Sequence, residues 1–201
     1  DPIKRKIFGN KDFRIGLSHA INREEIIKAA HSRQGKPFQC APRPESPFYH
    51  ERLATQYLEY DTDLANQYLD KVLPEKNSKG MRLGPDGKEF LFRMDVSGEE
   101  PPDDLVLIKG FWEAVGIRMN INPIPWELMF TRLEANEHES IKWFGDGGLD
   151  VLLDPRSYFP FNGMSVYAIP WANWYQNGGL AGGVKETPTV AEPPEPAKQQ
   201  M

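Results

Sequence analysis

The sequence predicts an α/β fold in which a sheet is flanked by helices, and three features of the middle of the chain support this prediction. A segment that ends at Val96 alternates apolar and polar residues, as a strand with one buried face does. A helical pattern follows from Pro101, and a second alternating segment begins at Ile117. A strand, a helix and a strand at this spacing form a βαβ unit, which almost always crosses over right-handedly onto a parallel sheet.

The composition limits the classes of protein to consider. The 201 residues are 39% hydrophobic and 11% aromatic, enough for one substantial domain or one and a half with a real core. A net charge of -5 and the lack of a basic stripe argue against nucleic acid as the main partner. No apolar run approaches the length of a membrane span. Cys40 is the only cysteine, and the four histidines lack metal-ligand spacing, so we expect no metal site and no cofactor.

The first third of the chain predicts helices followed by a loop. Residues 1–9 are basic and show no clear period, whereas a helical pattern begins at Lys11. Asn22 is predicted to cap a second helix, with a glutamate three residues later as in a capping box, and Gly35 is predicted to end it. Four prolines keep residues 36–60 irregular. This loop either covers the core or forms a wall of a ligand cleft.

The middle of the chain then predicts the order β-α-β-α-β. Asp61 is a good N-cap for a helix that Pro74 ends. Asp86-Gly87 predicts a tight turn before a strand over residues 88–96. The helix from Pro101 is capped by Gly116, a further helix begins at Pro125, and the last strand covers residues 140–144.

The end of the chain has a different composition. Residues 170–175 could begin a short aromatic helix, and glycine pairs follow them. Residues 185–201 are rich in Pro, Glu, Ala and Gln and cannot bury enough surface to offset their ordering entropy. We therefore expect one α/β lobe over residues 1–184 and a flexible tail over residues 185–201. A chain that opens at Asp1 without an initiator Met is typical of a piece of a longer protein.

A glycine-rich stretch, Trp143-Phe-Gly-Asp-Gly-Gly-Leu-Asp150, follows the last predicted strand. It places backbone N–H groups and the carboxylate of Asp146 at the carboxyl edge of the sheet, where open α/β sheets bind ligands. The alternative is a strand followed by an Asx turn, in which Asp146 bonds its own backbone. Local sequence alone favours the turn.

Four segments in a consistent order resemble the family 5 extracellular solute-binding proteins, the oligopeptide, dipeptide and nickel receptors of bacterial ABC importers. The first, Asp12 to Ile27, resembles the family pattern Arg-x-Ala-Leu-x-x-Ala-Ile-Asp-Arg-x-x-Ile, with Asn22 in place of the usual Asp. The others are Tyr60-Asp61 with Ala65 and Tyr68-Leu69-Asp70, then Asp86-Gly87-Lys88, then Trp112-Glu-Ala-Val-Gly-Ile117. The resemblance covers about residues 10–180.

The resemblance implies a type II periplasmic-binding-protein lobe with a mixed sheet flanked by helices. Residues 1–184 would be the carboxyl-terminal lobe of a two-lobed protein whose amino-terminal lobe is missing here. In peptide-binding members a Trp-x-x-Asp segment pairs with the peptide's α-amino group, and Trp143-Phe-Gly-Asp146 matches it. The implied ligand-binding residues are Asp146, Trp143 and the backbone of Gly145 and Gly147. Many peptide binders have Asp/Glu-Pro soon after this Asp, whereas this chain reaches Asp-Pro only at Asp154. The ligand is therefore a peptide or another oligomeric or cationic solute.

The resemblance also implies partners and a location. The full-length protein would be a non-enzymatic receptor that meets ABC permease subunits, in the periplasm or outside the cell, with lipid anchoring left open. One alternative is a metal-dependent α/β enzyme that uses Asp146, Asp150 and Asp154, although Gly147, Gly148 and Pro155 argue against the helix that would align them. A sensor or interaction module that passes ligands to signalling proteins is a further alternative.

Overall fold

The computed structural model describes residues 1–143, 151–165, 168–195 and 197–200, which form an α/β arrangement. The helices are α1 (Pro2–Gly9), α2 (Lys11–His19), α3 (Arg23–Ala30), α4 (Glu51–Thr55), α5 (Thr62–Asp70), α6 (Asp103–Ala114), α7 (Trp126–Glu134) and α8 (Ile169–Gln176). The strands are β1 (Leu91–Ser97), β2 (Arg118–Ile124) and β3 (Ser140–Ile141). Short 3-10 helices lie at Pro155–Ser157, Gly179–Ala181 and Lys198–Gln200.

The three strands form a parallel sheet in the order β2-β1-β3. Leu91 pairs with Arg118 at one end of the β1–β2 ladder, and Met94 pairs with Ser140 where β3 begins. The predicted βαβ unit is confirmed. In the described part of the chain, antiparallel pairing is confined to isolated bridges, such as the one between Leu83 and Glu89 at the predicted Asp86-Gly87 turn.

One face of the sheet carries the hydrophobic core. The alternating side chains of the first predicted strand are all buried against α1, α2 and α6. Aromatic rings meet edge-on here, with centroids 5.3 Å apart for Phe8 and Phe92 and 5.6 Å apart for Phe13 and Phe90. The Trp112 indole donates to the Leu17 carbonyl at 3.0 Å and so ties α6 to α2. This face fixes the helices that support the sheet.

The predicted N-caps Asn22 and Asp61 and the glycine that ends α6 are confirmed. The Asn22 side chain accepts from the Glu25 N–H at 3.1 Å, and Asp61 accepts from the Leu64 N–H at 2.8 Å. Gly116 ends α6 with φ +84°, and a Cβ there would lie 2.5 Å from the Gly80 carbonyl oxygen. This position therefore requires glycine both for its backbone conformation and for its close neighbour.

Several elements differ from the sequence prediction. The last strand, expected over residues 140–144, is only Ser140–Ile141, because these two are the only ones among its described residues that pair with β1. Residues 1–9, predicted to lack an element, contain α1, because the Asp1 carboxylate accepts from the Ile3 N–H at 2.8 Å and Pro2 suits the first helical turn. Helix α3 ends at Ala30 rather than Gly35, since Ser32 and Arg33 already have positive φ. The loop over residues 36–60 includes the short α4, and the first strand begins at Leu91 rather than at residue 88.

A buried arginine joins the helical layer to the start of the sheet. Arg82 is 0% exposed. Its guanidinium donates to the carbonyls of Leu73 (2.6 Å) and Val115 (2.9 Å), to Asp70 Oδ1 (2.7 Å) and to Asn66 Oδ1 (2.7 Å). These bonds connect α5, the segment after it and the end of α6. This residue was not identified from the sequence.

The last part of the chain contacts α8. The Ala191 N–H donates to the Pro170 carbonyl at 2.9 Å, and the Asn173 amide donates to the Thr189 carbonyl at 2.8 Å. The aromatic helix expected near residue 170 is confirmed as α8. The division into a lobe over residues 1–184 and a flexible tail stays a prediction. Within the described residues, no helix combines the length and apolarity that a membrane crossing needs.

Candidate ligand-binding site at the carboxyl edge of the sheet

The aromatic residues that follow β2 and β3 meet at the carboxyl edge of the sheet. Trp126 opens α7 two residues after β2, and Trp143 lies two residues after β3. Because the strands are parallel, their carboxyl ends share one edge, and helix α7 places Trp126 there. This is the edge at which the sequence predicted ligand contact.

Three rings form what we call the aromatic shelf: Trp126, Phe130 and Trp143. The indoles of Trp126 and Trp143 are stacked, with centroids 5.3 Å apart and an interplanar angle of 23°. Phe130 lies edge-on to both, at 4.6 Å from Trp126 and 5.7 Å from Trp143. Trp126 and Phe130 are four residues apart on α7 and so share one face of the helix. With Trp126 40% exposed, the shelf offers an apolar surface to solvent.

A buried carboxylate lies on β1. Asp95 is 0% exposed, and its Oδ1 accepts from the Asn122 amide on β2 at 2.6 Å. Its Oδ2 accepts from the Arg132 guanidinium on α7 at 3.3 Å. Arg93 Nε lies 2.9 Å from Oδ1, but its N–H is not aimed at that oxygen, so Arg93 contributes charge more than a hydrogen bond. Both oxygens therefore have cationic or amide neighbours.

An open cleft of about 550 Å³ runs along β2, and its lining includes Arg93, Lys109, Asn120 and Asn122. Its charged lining residues are cations. The shelf residues do not line it, whereas Arg93 and Asn122 both contact Asp95. Asp95 thus lies behind the residues that form one wall of this cleft.

Two ionisable groups precede β3. Burial lowers the pKa of His138, and the positive charge of Arg93 acts in the same direction, whereas a backbone hydrogen bond to Arg132 and the charge of Asp95 oppose the shift. Partial burial of Glu139 favours its neutral form. Nevertheless, hydrogen bonds from Lys4 Nζ (2.7 Å) and the Arg93 N–H (2.7 Å) and both positive charges hold the pKa of Glu139 below its usual value. Glu139 is therefore an ionised link between α1 and β1.

The predicted site residues are only partly within the described structure. Trp143 lies at the carboxyl edge as expected, and its ring contacts with Trp126 and Phe130 add two residues to the candidate site. Gly145, Asp146 and Gly147 lie outside the described residues, and their ligand contacts stay a prediction. From the sequence, Trp126 and Phe130 were placed on one side of a helix without being assigned to the site.

Asp95 was also missed from the sequence. It occupies a polar position of the alternating strand, where an exposed carboxylate is expected, so nothing in the sequence indicated its burial.

Asp154 is the one carboxylate of the alternative metal site that lies within the described residues. Asp154 pairs with Arg156 Nε at 2.9 Å, and Asp146 and Asp150 lie outside the described ranges. Among the residues that the structure describes, no group of three His, Cys, Asp or Glu side chains could hold a metal ion.

A parallel sheet with an aromatic surface at its carboxyl edge is the arrangement of an α/β ligand-binding lobe. The family model "Bacterial extracellular solute-binding proteins, family 5 Middle" matches residues 2–167. The chain belongs to this family, and its fold is that of a type II periplasmic-binding-protein lobe. This membership gives the metal-dependent enzyme no support.

Three relatives show the extent of the match. Di/tripeptide-binding protein 2 of Pseudomonas aeruginosa (strain UCBPP-PA14) is 26% identical over 159 residues, which are 77% of this chain and 27% of that protein. Oligopeptide-binding protein AppA of Bacillus subtilis (strain 168) is 22% identical over 205 aligned positions, or 98% of this chain and 36% of that protein. The solved structure of an oligopeptide-binding protein OppA matches with a TM-score of 0.88 and 30% identity over 99% of this chain and 32% of that one. The chain thus spans about a quarter to a third of these relatives' length.

Proposed function

We propose that this chain is one lobe of a two-lobed solute-binding protein, which captures a peptide or similar solute for an ABC importer. Family membership supports the solute-binding class, and two relatives and one solved structure are named as peptide-binding proteins. The remainder of the full-length protein supplies the second lobe, which closes over the ligand. The protein acts in the periplasm or outside the cell, contacts permease subunits and has no catalytic turnover.

The aromatic shelf is the observation that carries this proposal. It lies at the carboxyl edge, and one residue, Phe144, separates Trp143 from the Gly-Asp-Gly-Gly segment in the sequence. In our proposal the shelf is an apolar wall for ligand side chains, and backbone groups of Gly145 and Gly147 bind the ligand main chain. Asp146 pairs with a free amino group of the ligand through a charge-assisted hydrogen bond.

A single lobe offers only part of the contacts. The second lobe would contribute others and exclude water, which strengthens electrostatic contacts. We therefore expect this chain alone to bind ligand weakly, and nanomolar binding of one peptide by the isolated chain would contradict that expectation.

The test uses thermal unfolding of the full-length protein against short peptides and small cationic solutes. A ligand at one hundred times its Kd stabilises the folded state by about 2.7 kcal/mol. Asp146→Asn should weaken a ligand with a free amino group by roughly 10- to 100-fold, the value of a charge-assisted hydrogen bond. The matched control is Asp154→Asn. Since Asp154 pairs with Arg156, this substitution should leave ligand binding unchanged.

The outcomes separate the parts of the proposal. If Asp146→Asn leaves the stabilisation by ligand unchanged, the protein is still a solute receptor, but Asp146 is a turn residue and not a ligand contact. Stabilisation by divalent metal, with none by any peptide or solute, would overturn the proposed function.

A further inference from the structure

We propose that Asp95 is a positioning residue for the aromatic shelf: its buried carboxylate holds β2 and α7 in the register that stacks Trp126 on Trp143. The consequence for ligand binding rests on the proposed function. The effect on ring geometry does not, since it concerns only contacts within this chain.

Asp95 contacts each of the elements that carry the shelf. Its side chain accepts from Asn122, four residues before Trp126, and from Arg132, two residues after Phe130. Its backbone carbonyl accepts from the Lys142 N–H at 2.9 Å, and Lys142 directly precedes Trp143. Asp95, on the central strand, therefore links α7, which carries Trp126 and Phe130, to the segment after β3, which carries Trp143.

The apolar contacts of α7 do not replace this link. Met129 and Leu133 are buried, so they hold the helix against the sheet. Apolar packing is non-directional and permits small rotations or sliding along the helix axis. The Asp95 carboxylate accepts from a guanidinium on α7 and from an amide on β2. Because hydrogen bonds require defined geometry, these two bonds limit both the rotation and the sliding of α7.

The desolvation cost of this carboxylate also favours a positioning role. A fully buried carboxylate beside two arginines loses its hydration, and such groups often contribute little net stability compared with apolar replacements. Their best-supported use is to select one arrangement among several that pack similarly. Here the selected arrangement is the stacked pair of indoles.

The test measures circular dichroism of the 201-residue chain. The indoles of Trp126 and Trp143 lie 5.3 Å apart with ring planes inclined by 23°, so their far-ultraviolet transitions couple, and the skew between the two transition dipoles gives a couplet. Trp126→Phe defines the couplet by difference from the parent chain. Arg132→Met removes the α7 contact at a side chain that is 27% exposed, so folding should persist. We expect it to lose more than half of the couplet amplitude, Asp95→Asn to lose as much, and Arg132→Lys to restore most of it.

Arg118→Met is the matched control. It makes the same substitution on β2 and breaks the pair at 2.8 Å with Glu89, which is remote in sequence from the shelf, so the couplet should keep its amplitude. Cooperative thermal unfolding recorded on each variant separates loss of stacking from loss of fold.

The proposal is wrong if Arg132→Met and Asp95→Asn keep the full couplet that Trp126→Phe removes, or if Arg118→Met reduces the couplet equally. A second outcome combines the two experiments. If the variants lose the couplet as expected but the full-length protein binds no peptide or cationic solute, positioning by Asp95 is supported and the proposed function is overturned. The two failures are therefore distinguishable.

Discussion

Replacing Arg82 with methionine tests whether its buried guanidinium is needed to satisfy the backbone around it. Methionine keeps much of the side chain's length and apolar volume but donates no hydrogen bond. The carbonyls of Leu73 and Val115 would then be buried without their side-chain donor. The contact with Asp70 would also be lost, but that carboxylate is 54% exposed and can return to water.

The expected loss in the free energy of unfolding follows from the two carbonyls that lose their donor. Each buried acceptor left without a partner costs about 1–3 kcal/mol, so two cost about 2–6 kcal/mol. Release of the guanidinium from its desolvated site offsets part of this cost, and we expect a net loss of about 1–4 kcal/mol. Since folded domains are stable by only about 5–15 kcal/mol, the midpoint of urea unfolding should fall substantially.

Equilibrium urea unfolding of Arg82→Met and two controls measures this loss. Arg118→Met breaks a half-exposed ion pair and should cost below about 1 kcal/mol. Asp70→Asn keeps both carbonyl contacts and should also cost little. A loss below about 1 kcal/mol for Arg82→Met, or an equal loss for Asp70→Asn, would refute the assignment of the energy to the carbonyls.

Two further predictions concern helix packing and pH. Gly16→Ala should lower the free energy of unfolding by about 1–3 kcal/mol, because the new Cβ would lie 2.7 Å from Leu69 Cγ. The control is Gly110→Ala in α6, where no atom of the described residues, apart from the local helix, lies within 4 Å of a Cβ, and it should be neutral or stabilising by up to about 1 kcal/mol. Because the pKa of Glu139 is lowered in the folded chain, its ionised form contributes stability that is fully present above its unfolded pKa, near 4.5, and is lost as pH falls through the lower folded value. Glu139→Gln should therefore reduce stability at neutral pH and remove part of its fall in acid.

The measurements for these two predictions have clear contrary results. Equal losses for Gly16→Ala and Gly110→Ala would show that the α2–α5 contact relaxes around a methyl group. For Glu139, unfolding is measured at about pH 7 and at several values below 4.5, with Glu137→Gln on the exposed neighbour as the control. An unchanged pH profile in Glu139→Gln would contradict the role of its contacts with Lys4 and Arg93.

Periodicity and capping residues predicted most of the sheet and its helices. Alternation before Val96 and after Ile117 identified two strands, and Asn22 and Asp61 identified helix starts, because these signals are local. Helix α1 was missed, although Asp1-Pro2 is itself a capping signal, because its apolar residues are too few to show a period.

The candidate site was predicted less completely. Trp143 was identified because Trp143-Phe-Gly-Asp146 resembles the family's Trp-x-x-Asp segment, whereas its stacking on Trp126 depends on how α7 crosses the sheet. Arg82 and Asp95 were missed for the same reason, since their partners lie on other elements. Local spacing carries no signal for such contacts, because Arg82 and Val115 are 33 positions apart in the chain and are joined only by the fold.

The contact between Lys4 and Glu139 has a consequence for the order of folding. It joins residues 135 positions apart, whereas β1, α6 and β2 form one contiguous stretch. Closing so long a loop costs chain entropy before the contact can compensate for it, so we expect α1 to dock on Glu139 after the βαβ unit has formed. If so, this contact forms after the folding transition state, and we expect its loss to speed unfolding while leaving the folding rate nearly unchanged.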